Sequence, residues 1–462
     1  MGAESSSGEA SSDAPQSEIS SWKGGVINVG ALEQLLSAAR RFEAQVLSFS
    51  EINQTVIPEL EKSKTRRPRH FRSLVSNLTA EEKKIFAKAV EDFGDRFISS
   101  FNAWREAQTK FPTSGTFQFS FTCDSPAVGK AVQRYLEDLR RRIEGEPKAI
   151  LLRKSLLVSA VSAFEVFFGS LARFIFAINK SALDDSEHSF TLQQLSNFTQ
   201  LEDAREYLIE RKLSSLIRDS IEVWDKWLKK ASSGVSMESI FRDWDLVREA
   251  IARRNLVVHT NGKSNQIYVD IVRKIPSQSE GIPSVGSNLV VTEAYLDSIL
   301  QGFLALGDIL TVQVALKLKK HESEQVEDFL MRQLDELYIR ESWKALRLLS
   351  EFALKLSLNR EKRSLAQTFN WIARKRELGL ADIEVEVRAW DTSGLAPRIA
   401  HVKSVLLDDF KVAKGEVRDL IASGELTEYE VSVEPLYEEL RPELRDGAAG
   451  AEVEKRGGRS AE

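Results

Sequence analysis

The stretch Trp244-Asp-Leu-Val-Arg-Glu-Ala-Ile-Ala-Arg-Arg-Asn-Leu-Val-Val-His-Thr-Asn-Gly262 holds both a helical pattern and the chain's densest candidate chemistry. Leu246, Val247, Ala250 and Ile251, then Leu256, Val257 and Val258, recur at the spacing of a helix that packs inward. Each residue turns about 100° around a helix axis, so Asn255 and His259 share a face and Arg254 lies beside them. Thr260-Asn261-Gly262 supplies the turn that stops the helix. The reading predicts that the heads of Arg254, Asn255 and His259 converge at the helix end.

Such a trio suits cleavage of RNA by its own 2′-hydroxyl. A neutral imidazole, with an ordinary pKa of about 6.5, takes that proton or protonates the leaving 5′-oxygen. An arginine fork holds the phosphate and stabilises the charge growing on its oxygens. The amide of Asn255 orients either group, and the scheme calls for no metal and no cofactor. The bland alternative is a His259 that caps its helix or sits satisfied in a core. Arg253 is read either as a further phosphate contact or as a basic residue on a solvated face.

Working outward, Ala149 to Asn179 is apolar around most of its circumference and is expected to form a central buried helix. A polar stretch, Asp184 to Gln200, loops out. Helices are expected from about Leu201 to Ala231 and Met237 to His259, then a strand-like Gln266 to Val272, then a helix from Thr292, a simple cap, to about Lys320. Residues 148–320 are read as one helical domain. Upstream, 22–147 reads as a mostly helical domain, with helices at about 30–49, 79–108 and 127–144. Phe117, Phe119 and Phe121 alternate like a short strand over Thr116 to Phe121. Gly145-Glu-Pro147 marks the boundary, and the basic stretch Lys62 to Arg72 reads as a solvated connector. Downstream, 321–446 shows successive amphipathic helix pairs, as stacked helical repeats require, and is a candidate protein-binding region. Residues 1–21 and 447–462 have the composition of disordered tails.

The 462 residues suffice for about three domains, and an apolar share of 42% allows real cores. Lys and Arg number 64 against 69 Asp and Glu, a net charge of −5, so contact with RNA should be a local patch. One cysteine, Cys123, excludes an internal disulfide, and five scattered histidines give no metal-ligand spacing. Arg153, Lys154, Glu165 and Arg173 interrupt the most apolar run, which argues against a membrane span. A cytoplasmic location is expected. No phosphate-binding glycine loop, serine nucleophile elbow or His-Glu-x-x-His pattern occurs.

The pattern Arg254-Asn255-x-x-x-His259 resembles the Arg-x4-6-His signature of the HEPN superfamily, in which a polar residue commonly follows the arginine. The apolar helix with Ser159, Ser162, Ala163, Phe164 and Glu165 is similar to that family's opening helix, which often carries an acid. The resemblance covers residues 150–320, roughly a third of the chain. It implies an α-helical bundle, a homodimer whose cleft joins two Arg–His sets, and a metal-independent endoribonuclease acting on RNA, for example tRNA. In the family such enzymes serve chiefly in prokaryotic toxin, abortive-infection and antiviral systems. It further implies His259 as general acid or base, Arg254 as phosphate clamp and Asn255 as orienting residue. Glu165 either directs the arginine or belongs to a structural ion pair. HEPN toxins silenced by a partner nucleotidyltransferase carry a tyrosine three residues after the histidine; Gly262 stands there instead. The competing readings are a non-catalytic HEPN-like RNA- or protein-binding scaffold and a purely structural helical protein.

Overall fold

The computed structural model describes residues 30–62, 71–110, 117–144, 148–183, 190–275, 281–442 and 444. The expected tails, most of the basic stretch 62–72, Thr116 and the boundary at 145–147 lie outside these residues. The fold is mainly α, as composition and periodicity predict. The longer helices are α1 (Ala31–Glu51), α2 (Ala80–Lys110), α3 (Pro126–Glu144), α4 (Lys148–Ile178), α5 (Leu201–Arg218), α6 (Ile221–Ala231) and α7 (Trp244–Thr260). They continue with α8 (Gln266–Val272), α9 (Glu293–Leu318), α10 (Ser323–Ile339), α11 (Trp343–Ala353), α12 (Arg360–Leu378) and α13 (Phe410–Ser423). Among the described residues the β pairing is a single antiparallel bridge between Lys263 and Asn288.

Three helices, α1, α4 and α9, pack together at the centre. The apolar residues of α4 and α9 are too many for one stripe, so each must be covered on several sides, whereas α1 buries a single apolar face. Phe42 of α1 stacks on Phe167 of α4 with ring centroids 5.0 Å apart, and Phe164 stacks on Phe303 of α9 at 5.1 Å. The buried charges of α4 are hydrogen-bonded. Arg153 donates to Glu61 at 2.8 Å and Glu293 at 3.2 Å, and Lys154 reaches the end of α7. Helices α4 and α9 are long and apolar enough to cross a membrane, but 56% and 83% of their most apolar windows are buried inside the protein.

The buried side chains group differently from the division at residue 147. Helix α1 belongs to the central core, because Leu35, Leu36, Phe42 and Val46 are covered by α4 and α9. What stays apart upstream is the α2–α3 pair, whose own core is built on Phe86, Phe97, Phe101, Val128 and Val132. The central core also runs without a break beyond 320, through Leu330, Leu346, Phe369 and Trp371. In α11 and α12, Arg347 meets Glu377 and Ser350 meets Asn370, an antiparallel pair docked through α11 on α9. A small separate core around Val417, Leu420 and Tyr437 closes the chain.

Neither expected strand forms. The alternating Phe117, Phe119 and Phe121 run without regular structure, laid against Phe93, Phe97 and Phe101 of α2, and no second strand completes a ladder. Gln266 to Val272 is helix α8. The side chain of Asn265 accepts from the N–H of Tyr268 at 2.9 Å, a helix cap, and Tyr268, Val269 and Val272 are buried at helical spacing.

Candidate active site

Helix α7 is anchored by buried Trp244, Val247, Ala250 and Leu256. Its end is built as the sequence predicts. Asn261 (φ 54°) and Gly262 (φ 87°) take the left-handed conformation, and the Gly262 N–H donates to Leu256 O at 2.9 Å. A side chain at 262 would also crowd Leu289 O at 3.3 Å, which adds to the preference for glycine set by the positive φ. The ammonium of Lys154 donates to Asn261 O at 3.0 Å and Oδ1 at 3.1 Å, a cation where the helix dipole is negative. Val258, expected inward, is instead half exposed beside His259.

A cleft of about 390 Å³ lies between α4, the α5–α6 turn and α7. Arg254 and Asn255 line it, and so does Glu165, which is ion-paired with the Arg254 guanidinium. The Nε of Arg254 is buried without an acceptor, so the guanidinium is held by a carboxylate yet keeps an unused donor. Asn255 is exposed at the mouth. His259 is exposed, makes no hydrogen bond among the described residues and is absent from the cleft wall. The expected convergence is therefore partial. Arg254, Asn255 and Glu165 come together, while His259 stands one turn on, about 6 Å further along the axis on the face of Asn255.

Arg253 has neither role given to it by its sequence. It points away from the cleft and donates to Glu249 at 2.7 Å, Val290 O at 3.2 Å and Tyr268 Oη at 3.2 Å. It also lies 4.0 Å over the ring of Tyr295. Glu249 is fully buried and accepts from both tyrosine hydroxyls as well. Burial opposes the charge of Arg253, but Tyr295, Glu249 and Tyr268 outweigh it and the net shift is upward. Burial and the Glu249 carboxylate push both tyrosines upward, which keeps them as donors. This network fastens α7 to α8 and α9, so Arg253 is a structural residue.

Two cleft residues were missed by sequence reasoning. Arg248 projects from α7, and Arg218 ends α5. Arg248 contacts Glu222 and Asp245 only at 3.4 Å each. Burial pushes Glu222 up, but hydrogen bonds from its own N–H, Ser220 and Arg248 bring it below the usual carboxylate value. Arg248 was legible, being seven residues before Asn255 and so on the same face. The approach of Arg218 is set by the packing of α5 and carries no local signal. Comparison with family models, curated proteins and solved structures returns no match.

Chemically, the arrangement offers cationic donors lining a half-open cleft, an exposed amide at its mouth and an exposed imidazole just beyond. It can grip an anionic ester and present a proton-transfer group near it.

Proposed function

We propose that the protein is a HEPN-like, metal-independent endoribonuclease. The observation that carries this reading is Arg254, directed by Glu165 of α4 into a cleft it shares with Asn255, with His259 exposed on Asn255's face. In the proposed reaction the 2′-oxygen attacks the adjacent phosphorus and the bond to the 5′-oxygen breaks. His259 takes the 2′-proton or supplies the one the leaving oxygen needs, and Arg254 stabilises the charge on the phosphoryl oxygens. A second copy of the chain would place another Arg–His set across the opening, as the resemblance implies. A cytoplasmic toxin or antiviral role belongs to the same reading.

One observation favours a second reading, an RNA- or protein-binding scaffold. His259 does not line the cleft, and the Arg254 guanidinium already has a carboxylate partner. Incubation of the full chain with total RNA and with tRNA in EDTA separates the two. Cleavage that leaves 2′,3′-cyclic phosphate ends and is lost in a folded Arg254→Ala, His259→Ala variant is the expected outcome. Cleavage that persists in the variant refutes the site. Absence of cleavage, with no His259-dependent toxicity on expression, leaves the scaffold.

A further inference from the structure

The cleft contains more cationic apparatus than one phosphate needs. Arg248, Ala252, Asn255 and His259 follow at intervals of four, three and four residues, one stripe of α7 about 16 Å long. Arg254 serves the His259 end. At the other end stand Arg248 and Arg218, brought from different helices to the same cleft. Arg218 is exposed and has no partner among the described residues, where Arg248 is held by the long contacts to Glu222 and Asp245. The N-terminus of the eleven-residue α6 opens beside them; the Glu222 carboxylate bonds its own N–H there, and the N-cap Ser220 bonds that carboxylate and not the helix's amides. Three carboxylates, Glu165, Glu222 and Asp219, share the wall. Glu165 holds Arg254, while Glu222 sits where an incoming anion would compete for Arg248.

We infer that Arg248 and Arg218 form a second phosphate subsite, which binds a phosphate of a single-stranded RNA neighbouring the one held by Arg254. Glu222 occupies this subsite in the free protein and yields to the strand. A phosphate that displaces Glu222 gains two guanidinium forks and the positive end of α6, whereas Glu222 offers Arg248 only a contact at 3.4 Å. Only a strand long enough to span the stripe uses both ends, so the subsite sets a minimum substrate length. This rests on the proposed nuclease reading for the identity of the strand, but its test does not depend on cleavage.

The test measures binding of fluorescent 2′-O-methyl RNA, which cannot react, to the full chain over a range of salt. Hexanucleotide and dinucleotide strands are compared. Arg218→Ala, whose side chain is exposed and whose loss should leave the fold intact, and Arg248→Ala are each expected to weaken hexanucleotide binding by about tenfold. The double variant should lower the logarithmic salt slope by about 0.7, one single-strand phosphate. The preference for hexanucleotide over dinucleotide should shrink in parallel. Glu222→Gln should bind several-fold tighter. Arg388→Ala, which removes an exposed arginine of the C-terminal region, controls for general charge. Hexanucleotide affinity and slope equal to wild type in Arg218→Ala and the double variant would overturn the inference, as would a wild type that binds no strand. Loss of binding in these variants, beside a wild type that neither cleaves RNA nor shows His259-dependent toxicity on expression, would uphold the subsite and refute the nuclease. Cleavage by wild type with unchanged binding in the variants would do the reverse.

Discussion

Adjacent arginines on α7 should respond oppositely to the same truncation. Arg253→Ala strips the fully buried Glu249 of its one cationic partner among the described residues and removes a hydrogen bond to Val290 O and the contact over Tyr295. Breaking a buried pair by deleting one member costs about 3–5 kcal/mol. Because both tyrosines still donate to Glu249, the lower end, about 3 kcal/mol, is expected. Arg254→Ala breaks an ion pair whose partners are both partly exposed, worth about 0.5–1 kcal/mol. It also deletes a buried Nε that has no acceptor, which returns about 1–3 kcal/mol. The net change should therefore run from about zero to about 2.5 kcal/mol of added stability. Urea denaturation of the full chain, followed by tryptophan fluorescence, measures both. Comparable losses in the two variants, or an Arg253→Ala within about 1 kcal/mol of wild type, would refute the division between structural and functional arginine.

Three further outcomes are expected. Burial pushes the carboxyl of Glu43 up to about 7, and burial with neighbouring Glu43 raises Asp308 as well. Groups whose folded pKa is raised stabilise the fold at low pH and lose that contribution as pH rises. Stability should therefore fall by up to about 3 kcal/mol between pH about 4.5 and about 7 from Glu43 alone, and Glu43→Gln should flatten that slope in denaturation curves taken across the range. In Gly307→Ala the new Cβ would lie 2.7 and 2.9 Å from ring atoms of Phe42, so α1 must shift on α9. A loss of about 2 kcal/mol is expected, with faster hydrogen exchange in α1 as the check. Lys154→Met removes the cation at the end of α7 and should cost about 2 kcal/mol, with exchange quickened at residues 256–262; unchanged protection there would contradict the capping role.

Much of the helical content was legible because α1, α6 and α11 carry apolar faces that repeat at 3.6 residues, while the long apolar run of α4 could be read as a buried helix. The failures have a common cause. Phe117, Phe119 and Phe121 alternate because their rings lie against α2, and alternation alone cannot say whether a partner strand exists. Gln266 to Val272 is rich in β-branched residues, yet the Asn265 cap and tertiary burial of Tyr268 outweigh that propensity. The division at 147 overlooked that α1 has an apolar face with no partner nearby in sequence. Its covering by α4 and α9 is a long-range fact that periodicity does not contain.

For the site, helical angle was the part that could be read, and it was read incompletely. Arg253 follows Glu249 by four residues, the spacing of an intrahelical ion pair, and follows Ala250 by three, which puts it on the buried side. That signal already assigns Arg253 to structure and leaves Arg254, about 100° away, free to face the cleft. The same angular reasoning puts Arg248, Asn255 and His259 on one stripe. It cannot say which element covers the stripe, and the α5–α6 turn that closes the cleft against α4 faces only the part nearer Arg248. His259 is left outside because the wall ends before it. A catalytic role for His259 therefore requires something else to stand over that end of α7, and substrate or a second copy of the chain are the bodies the proposed reaction supplies.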